Sequence, residues 1–486
     1  MVEGTEMSKL MVSKHNQWFK VNEENFLLLN PFSGALDVVD QEVIDLIDYV
    51  QTHSQFPSQI DRNDQIVSLL LNRGYFLTSS DEERKRALAF EKVLQSFHHP
   101  GFLLIPTYNC NFRCPYCYEQ NLRKKPKEFL EKILSEDQLD SFFQAVDSIL
   151  AQAIFPRKSA SKQVAEVILY GGEPFLPQTR EIVEKIGVKL KKRNWLLGAI
   201  TNGYHLEEFL PILRENHFTH LQITLDGPKE IHNNRRFLIG RKPTFDKIVA
   251  GIDKASNAGI SIVLRMNLDS ENINHLPAFL TFCDEKGWTQ PESKIYISLG
   301  LVTTYSCKYR HSLSPVEYYR TLHTILGDCS RFTGALTNFI GFLKPQTPPD
   351  NPKSNLPQFP KLYYCGANAL QRIFDPHGHI YPCWGVVGDP TNAIGKYDHS
   401  GYRLFESEIK KWNRSVLDLP KCSKCSYALI CSGGCLYKAL STGQDHSSSF
   451  CGDFPQIFEE FVPRHIIARM KDKNSPWFFE PNPPLG

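Results

Sequence analysis

Strand-like and helix-like segments alternate along residues 98–300, and this alternation restricts the fold more than any other feature of the sequence. The strand-like runs are Phe102–Ile105, Val164–Tyr170, Leu196–Thr201, His220–Leu225, Ser261–Met266 and Lys294–Leu299. Segments with helical spacing of apolar residues lie between them, at Ser135–Ala153, Thr179–Arg193, Leu206–Glu215, Thr244–Ala258 and Asn274–Lys286. Repeats of this kind predict parallel strands with outer helices, and therefore an α/β fold built on a partial (βα)6, TIM-like barrel. In such barrels the functional residues collect at the carboxyl ends of the strands.

Three cysteines, Cys110, Cys114 and Cys117, follow the first of these strands at the spacing C-x3-C-x2-C. A 4Fe–4S cluster normally takes four thiolates, so three of them leave one iron open to a small molecule. An open iron beside a reducible cluster is what the reductive cleavage of S-adenosylmethionine (SAM) requires. The alternative is a zinc knuckle or three buried thiols, but zinc sites more often pair C-x2-C with a distant second pair.

Glycine-rich and polar motifs follow the next four strands. They are Gly171-Gly172-Glu173-Pro174, Thr201-Asn202-Gly203, Thr224-Leu225-Asp226-Gly227-Pro228 and Arg265-Met266-Asn267. Glycines let a backbone approach a ligand closely, Glu173 can meet an ammonium group, and Arg265 suits a carboxylate. In register with the cysteine loop, this set resembles the radical SAM superfamily across roughly residues 98–300.

The resemblance implies a role for each of these motifs. Cys110, Cys114 and Cys117 would ligate the SAM-binding 4Fe–4S cluster, and Tyr116 would pack near the adenine. The loop of Gly171, Gly172, Glu173 and Pro174 would take the SAM amino group. The ribose and carboxylate of SAM would be contacted by Thr201, Thr224, Arg236 and Arg265. The phrase DGPKEIHNNRR has Asn233 where members of the superfamily often have Asp.

Six prolines in residues 344–360 indicate an extended linker, and a second set of cysteines follows it. This set comprises Cys365, Cys383, Cys422, Cys425, Cys431, Cys435 and Cys451. A zinc ribbon is the alternative, but seven cysteines are one short of two four-thiol zinc sites. The order C-x12-G-x4-C, then C-x2-C-x5-C-x3-C, then C resembles the SPASM extension of radical SAM enzymes, which holds two auxiliary 4Fe–4S clusters.

By that resemblance the nearer auxiliary cluster belongs to Cys365, Cys383 and Cys435, here called the nearer group. The farther group is Cys422, Cys425, Cys431 and Cys451. The nearer group lacks a fourth thiolate, so its last position is either open or filled by Cys307 or Cys329. Cys283 lies on an apolar helical face and is predicted to be a small core residue.

Residues 1–95 predict a small winged α+β unit. Phe26–Asn30 and Gly34–Val39 have the pattern of two strands, and Asp40 can cap the following helix. A second helix at Asp64–Asn72 ends at Gly74 before another strand. The order of these elements resembles the leader-peptide recognition unit of peptide maturases, which binds an extended peptide at a sheet edge. The alternative is a structural N-terminal cap.

The overall composition restricts the partners and the compartment. A net charge of +2 does not indicate electrostatic binding to nucleic acid or to an anionic membrane. We expect no secretory signal, and no apolar run approaches the ~20 residues that span a bilayer. Thirteen cysteines then fit metal ligation in a reducing cytoplasm better than disulfides.

Together these features predict five regions: a winged domain at 1–95, a radical SAM barrel at 98–325, a linker at 344–360, a cysteine-rich Fe–S domain at 361–460 and a tail at 461–486. Two auxiliary clusters suggest net oxidation of the substrate. The predicted function is therefore that of a radical SAM/SPASM maturase, an oxidoreductase acting on a ribosomally made precursor peptide or protein. An electron donor such as flavodoxin or ferredoxin would serve it.

Two alternatives stay open at this point. An anaerobic sulfatase-maturing enzyme, which makes formylglycine, carries an acidic base directly after the second SPASM cysteine. Here that position is Trp384, which cannot accept a proton, and 109 residues precede Cys110. The other alternative is a non-catalytic peptide-binding protein whose thiols hold zinc. The sequence assigns no catalytic acid or base.

Overall fold

The computed structural model describes residues 11–54, 65–97, 100–152, 165–303, 309–327 and 360–471. Cys307 and Cys329 lie outside the described residues, as does all of the predicted linker except Pro360. Within the described ranges, no helix is long and apolar enough to cross a membrane.

The N-terminal unit is a small α+β domain, and its strand and helix order agrees with the prediction. Its elements are β1 (Met11–Val12), β2 (Gln17–Lys20), β3 (Asn25–Asn30), β4 (Ala35–Asp40), α1 (Gln41–His53), α2 (Gln65–Asn72), β5 (Phe76–Leu77) and α3 (Ser80–Phe97). Strands β2, β3 and β4 form an antiparallel sheet in that order, and β1 pairs with β5. The Asp40 carboxylate caps α1 by accepting a hydrogen bond from the Val43 N–H at 3.0 Å.

The three-stranded sheet of this unit is covered on both faces. One face packs against α1 and α2 through Leu28, Ile47 and Val67. The other face places Leu27 and Leu29 against apolar side chains from the C-terminal region of the chain. The N-terminal unit is therefore held against the cysteine-rich domain by a shared apolar core.

The central region is the predicted partial barrel. Its strands are β6 (Phe102–Leu104), β7 (Glu166–Leu169), β8 (Leu196–Thr201), β9 (Phe218–Thr224), β10 (Ser261–Leu268) and β11 (Ile295–Leu301). The helices along it are α4 (Lys127–Glu131), α5 (Glu136–Gln152), α6 (Arg180–Arg193), α7 (Leu206–Glu215), α8 (Lys229–Arg235), α9 (Phe245–Asn257), α10 (Leu276–Glu285) and α11 (Pro315–Leu326). The six strands are parallel and neighbour one another in chain order, which confirms the predicted fold class.

The cysteine-rich region extends the same sheet. It contributes β12 (Arg372–Phe374), β13 (His379–Tyr381), β14 (Gly395–Asp398) and β15 (Gly401–Leu404). Its helices are α12 (Glu406–Trp412), α13 (Ala428–Cys431), α14 (Leu436–Ser441) and α15 (Phe454–Lys471). Strand β12 pairs in parallel with β6, and β13 to β15 follow antiparallel, so ten strands form one continuous sheet. Helix α15 also runs through the predicted boundary at residue 460.

Candidate active site

The loop that carries Cys110, Cys114 and Cys117 begins where β6 ends, and its first residues are held from both sides. The Ile105 N–H donates to the Phe374 carbonyl of β12 at 2.9 Å. On the other side, the Gly172 N–H donates to the Thr107 carbonyl at 3.2 Å and the Glu173 N–H to the Asn109 carbonyl at 2.8 Å. The cysteine loop is thus fixed between the second barrel strand and the cysteine-rich domain.

The three loop cysteines face one another in a buried space. Burial raises the pKa of the Cys110 thiol, and the neighbouring Glu173 carboxylate and Cys114 thiol raise it further. Burial likewise raises the pKa of Cys117 to about 12. The Phe112 N–H points at the Cys110 sulfur at 3.4 Å, as backbone donors do towards cluster thiolates. In the part of the chain that the structure describes, no three His, Cys, Asp or Glu side chains are grouped so as to hold a single ion. Three thiols on one loop fit a cube that keeps one iron open, whereas a structural zinc site takes four protein ligands.

The Gly-Gly-Glu-Pro loop lies directly against the cysteine loop. A Cβ added at Gly172 would stand 2.3 Å from the carbonyl oxygens of both Tyr108 and Asn109, so only glycine permits this contact. The buried Glu173 carboxylate accepts hydrogen bonds from the Thr201 hydroxyl at 2.5 Å and the Asn202 N–H at 2.6 Å. Glu173 therefore links the ends of β7 and β8 by hydrogen bonds from Thr201 and Asn202. Burial raises the pKa of the Glu173 carboxyl to about 7.

Tyr116 lies in a buried ionic network at the end of β9. Its hydroxyl donates to the Asp226 carboxylate and accepts from Arg236 Nη1, the latter at 2.9 Å. The Arg236 guanidinium also faces Cys114, where its charge lowers the thiol pKa against the effect of burial. Arg236 Nε has no hydrogen-bond partner among the described residues, so this cation is directed at the cysteine loop.

Arg235 is a part of this network that sequence reasoning missed. It is 3% exposed and pairs with Asp269 at 2.8 Å and Glu271 at 3.2 Å. Its guanidinium also lies 4.9 Å from the Tyr116 ring centroid. The sequence signal for Arg235 is the pair of adjacent arginines that follows the Asp-Gly-Pro turn, of which only Arg236 was predicted to be a site residue.

Two other predicted positions are explained by their local contacts. The Asn233 side chain accepts from the Thr244 and Phe245 N–H groups at 2.9 and 3.0 Å, so it caps α9. Arg265 donates from Nε to Asn267 Oδ1 at 2.8 Å and lies across Gly300 of the next strand. A Cβ at Gly300 would be 2.0 Å from the Arg265 guanidinium, so this glycine makes room for the cation. Thr224 is buried at the end of β9.

A cavity of about 130 Å³ borders the cysteine loop. Its lining includes Cys110, Cys117, Gly172 and Glu119. Glu119 was not predicted from sequence; it is buried, accepts from the Tyr118 hydroxyl at 2.7 Å, and burial raises its pKa to about 7.

An aromatic wall stands beside this cavity. The Trp384 ring meets the Tyr170 ring edge-on at 4.8 Å, and Tyr170 stacks on Tyr118 with ring centroids 5.8 Å apart. Trp384 therefore occupies the junction between the barrel and the cysteine-rich domain as a packing residue. Glu119, next to Tyr118, and Asp375, which accepts a hydrogen bond from Tyr108 at 3.0 Å, are acids near this junction.

Several cysteines of the second set lie close enough to interact electrostatically with one another. In the nearer group, the Cys365 and Cys435 thiols add to the effect of burial in raising the pKa of Cys383 to about 12. In the farther group, the Cys451 and Cys422 thiols add to the effect of burial in raising the pKa of Cys431. The Cys425 thiol likewise raises the pKa of Cys422. Cys283 stays apart from all three groups, fully buried on α10 in the barrel core.

Residues 104–283 match the Radical SAM superfamily. The chain is 26% identical over 387 residues to a cysteine-type anaerobic sulfatase-maturating enzyme of Clostridium perfringens, across 74% of this chain and 94% of that enzyme. It is 23% identical over 351 residues to the mycofactocin maturase MftC of Mycolicibacterium smegmatis, across 69% of this chain and 78% of the relative. Among solved structures, anSMEcpe with bound AdoMet superposes with a TM-score of 0.56 at 21% identity, covering 77% of this chain and 97% of that one. The structural likeness establishes a shared fold.

Proposed function

Since residues 104–283 are a radical SAM domain, and the domain implies a 4Fe–4S cluster and SAM, we propose that the chain is a maturase that oxidatively modifies a ribosomally made precursor peptide. The observation that carries this proposal is that cysteines assigned to the same group interact electrostatically with one another in each of the three groups. When bound, a 4Fe–4S cluster with SAM supplies a 5′-deoxyadenosyl radical that takes a hydrogen atom from an unactivated carbon.

The residues around the cysteine loop would prepare this site. Cys110, Cys114 and Cys117 would hold the cluster and leave one position for SAM, whose contacts we assign to the Gly171–Pro174 loop and Arg265. The Arg236 guanidinium would offset the negative charge of the thiolates, because it faces Cys114 from a buried position. Burial of this kind strengthens such interactions by lowering the local dielectric.

The junction next to the cavity would protect a reactive substrate. Trp384, Tyr170 and Tyr118 form an aromatic wall that excludes water, and exclusion of water suppresses side reactions of reactive intermediates. Glu119 is the acid on this side of the cavity, within hydrogen-bond reach of Tyr118.

The cysteine-rich domain would hold two further 4Fe–4S clusters that accept the electron released when the substrate is oxidised. The nearer group supplies three thiolates, and its fourth position falls to a substrate atom or to Cys307 or Cys329. The farther group supplies all four. Thiol-rich sites of this kind are kept reduced in the cytoplasm, where flavodoxin or ferredoxin would serve as the electron donor.

The N-terminal unit would bind the leader part of the precursor. Strand β4 pairs only with β3 in the described residues, so its other edge offers N–H and C=O groups to an extended peptide. Hydrogen exchange of the full-length protein tests this: the precursor encoded beside the gene should protect β4 amides. Protection confined to the barrel would contradict leader binding at this edge.

The principal experiment counts clusters and looks for SAM cleavage. Anaerobically purified protein should contain about twelve irons with matching sulfide, and after reduction it should form 5′-deoxyadenosine from SAM. A C110A/C114A/C117A variant should keep about eight irons and form none. Cys283→Ala is the matched control, since it removes a buried thiol outside all three groups, and it should retain both properties. Zinc without inorganic sulfide would refute the proposal.

Formylglycine formation is the second candidate, and the similarity to sulfatase-maturating enzymes over most of the chain favours it. The packing of Trp384 against Tyr170 stands against it, because no acid occupies the position after Cys383. Parallel incubations with a sulfatase-type peptide containing Cys or Ser and with the candidate precursor peptide distinguish the two candidate functions. An aldehyde product on the sulfatase peptide alone would reverse our ranking.

A further inference from the structure

Two cations, the buried Arg414 and the partly buried Lys361, lie between the nearer and the farther cysteine groups. The Arg414 guanidinium interacts electrostatically with Cys422 of the farther group and with Cys435 and Cys365 of the nearer group. The Lys361 ammonium interacts with Cys431 of the farther group and Cys365 of the nearer group. We propose that these two cations set the reduction potentials of both auxiliary clusters together. This inference rests on the proposed function, because it requires that both groups hold clusters.

Arg414 is fixed in place by backbone carbonyls. Its Nη2 donates to the Gly434 carbonyl at 3.2 Å, and its Nη1 donates to the carbonyls of His446, at 3.2 Å, and Ser448. The residue is 7% exposed, and within the described part of the chain no carboxylate pairs with it. Gly434 directly precedes Cys435. The guanidinium therefore keeps a full, un-neutralised charge next to thiolates of both groups.

Lys361 is held by hydrogen bonds of its backbone, and its ammonium lies over an aromatic ring. Its backbone N–H donates to the Leu429 carbonyl at 2.9 Å, and its own carbonyl accepts from the Ser432 hydroxyl at 2.8 Å. Leu429 and Ser432 flank Cys431 of the farther group. The ammonium lies 5.2 Å from the ring centroid of Tyr364, which directly precedes Cys365 of the nearer group. The backbone of Lys361 thus contacts the segment of the farther group, and its ammonium lies beside the residue that precedes Cys365 of the nearer group.

The direction of the effect follows from the charge of a thiolate-bound cluster. Such a cluster is anionic, and reduction by one electron adds a further negative charge, so a nearby cation favours the reduced form and raises the potential. The effect should be stronger for Arg414, which is buried, than for Lys361, which is partly exposed to water. Since each cation faces both groups, both potentials rise together. A shared rise would make both clusters better acceptors of the electron released by the oxidised substrate.

The test measures midpoint potentials by EPR-monitored redox titration of reconstituted full-length protein. The C110A/C114A/C117A background leaves only the auxiliary signals. Arg414→Gln and Lys361→Gln should each disfavour reduction of both auxiliary clusters at least tenfold, which is a fall of about 59 mV for a one-electron couple. Arg414→Lys retains the positive charge, so its two midpoint potentials should stay close to those of the parent protein. Lys424→Gln is the matched control, because Lys424 is next to Cys425 but exposed, and it should shift neither midpoint.

The outcomes distinguish this inference from the proposed function. Iron and sulfide are counted first, and parent protein without auxiliary iron would overturn both. Full cluster content with unchanged midpoints in Arg414→Gln and Lys361→Gln would overturn only the role of the cations. Equal shifts in Lys424→Gln would also overturn it, because position between the groups would then not matter. If Arg414→Gln fails to retain iron, the midpoint potentials of Lys361→Gln alone test the role of the cations.

Discussion

Replacing Gly172 with alanine should disrupt the loop that holds the first cluster, without changing any chemical group at the site. Gly172 does not have a positive φ, so alanine costs nothing in backbone conformation there. The added Cβ would stand 2.3 Å from two carbonyl oxygens of the cysteine loop, whereas ordinary contacts begin at about 3.4 Å. Because both neighbours are backbone atoms, more than 1 Å of separation has to open between the two loops. Overpacking by one methyl group costs typically 1–3 kcal/mol, and we expect about 3 kcal/mol here.

Hydrogen exchange and iron content measure this effect locally. The Glu173 amide donates across the same contact at 2.8 Å, and its exchange should become about a hundredfold faster, as expected for about 3 kcal/mol of lost protection. About four irons should be lost while the auxiliary iron remains. Gly101→Ala is the control, since a Cβ there meets nothing within 4 Å. If Gly172→Ala behaved like Gly101→Ala in both measurements, the direct packing of the two loops would be refuted.

Three further predictions concern other buried groups. Arg235→Met should destabilise the barrel by about 3–5 kcal/mol in chemical denaturation, because Asp226 and Asp269 would stay buried without their cation; Arg235→Lys should cost less, and equal costs would contradict a role for the paired geometry. Burial lowers the pKa of His15 to about 4, so the stability that neutral His15 contributes should be fully present above pH 6.5, and up to about 3 kcal/mol of it should be lost as the pH falls towards 4. His15→Gln should abolish that slope in pH-dependent exchange, and an unchanged slope would assign it to another group. Phe458→Ala should cost about 3–5 kcal/mol and speed exchange in β3, because this fully buried ring joins α15 to the N-terminal sheet; faster exchange in the barrel alone would contradict that coupling.

Local periodicity predicted the barrel because each strand and helix has its own hydrophobic pattern. The third strand and the following helix were predicted with the bounds that the structure has, at Leu196–Thr201 and Leu206–Glu215. Strand β12 was not predicted, because three residues carry no usable period and their partner, β6, lies about 270 residues earlier. Arg235 and Glu119 were missed for a different reason: charged residues are expected at the surface, and only tertiary contacts show that they are buried.

The pairing of β12 with β6 explains why the site could be only partly predicted. Cysteine spacing places thiols within one loop, but it says nothing about how far one group lies from another. In the structure, the Ile105 N–H bonds to the Phe374 carbonyl, and the Tyr108 hydroxyl bonds to Asp375 at 3.0 Å, so the cysteine loop and the turn after β12 move as one unit. Strand β13 then leads directly to Cys383 and Trp384, and the Trp384 ring contacts Tyr170 at the end of the second barrel strand. A continuous sheet therefore fixes the nearer group relative to the cysteine loop of the barrel. If the nearer group holds an electron acceptor, as proposed, backbone hydrogen bonds would keep its distance from the substrate constant throughout turnover, which a flexibly linked domain would not ensure.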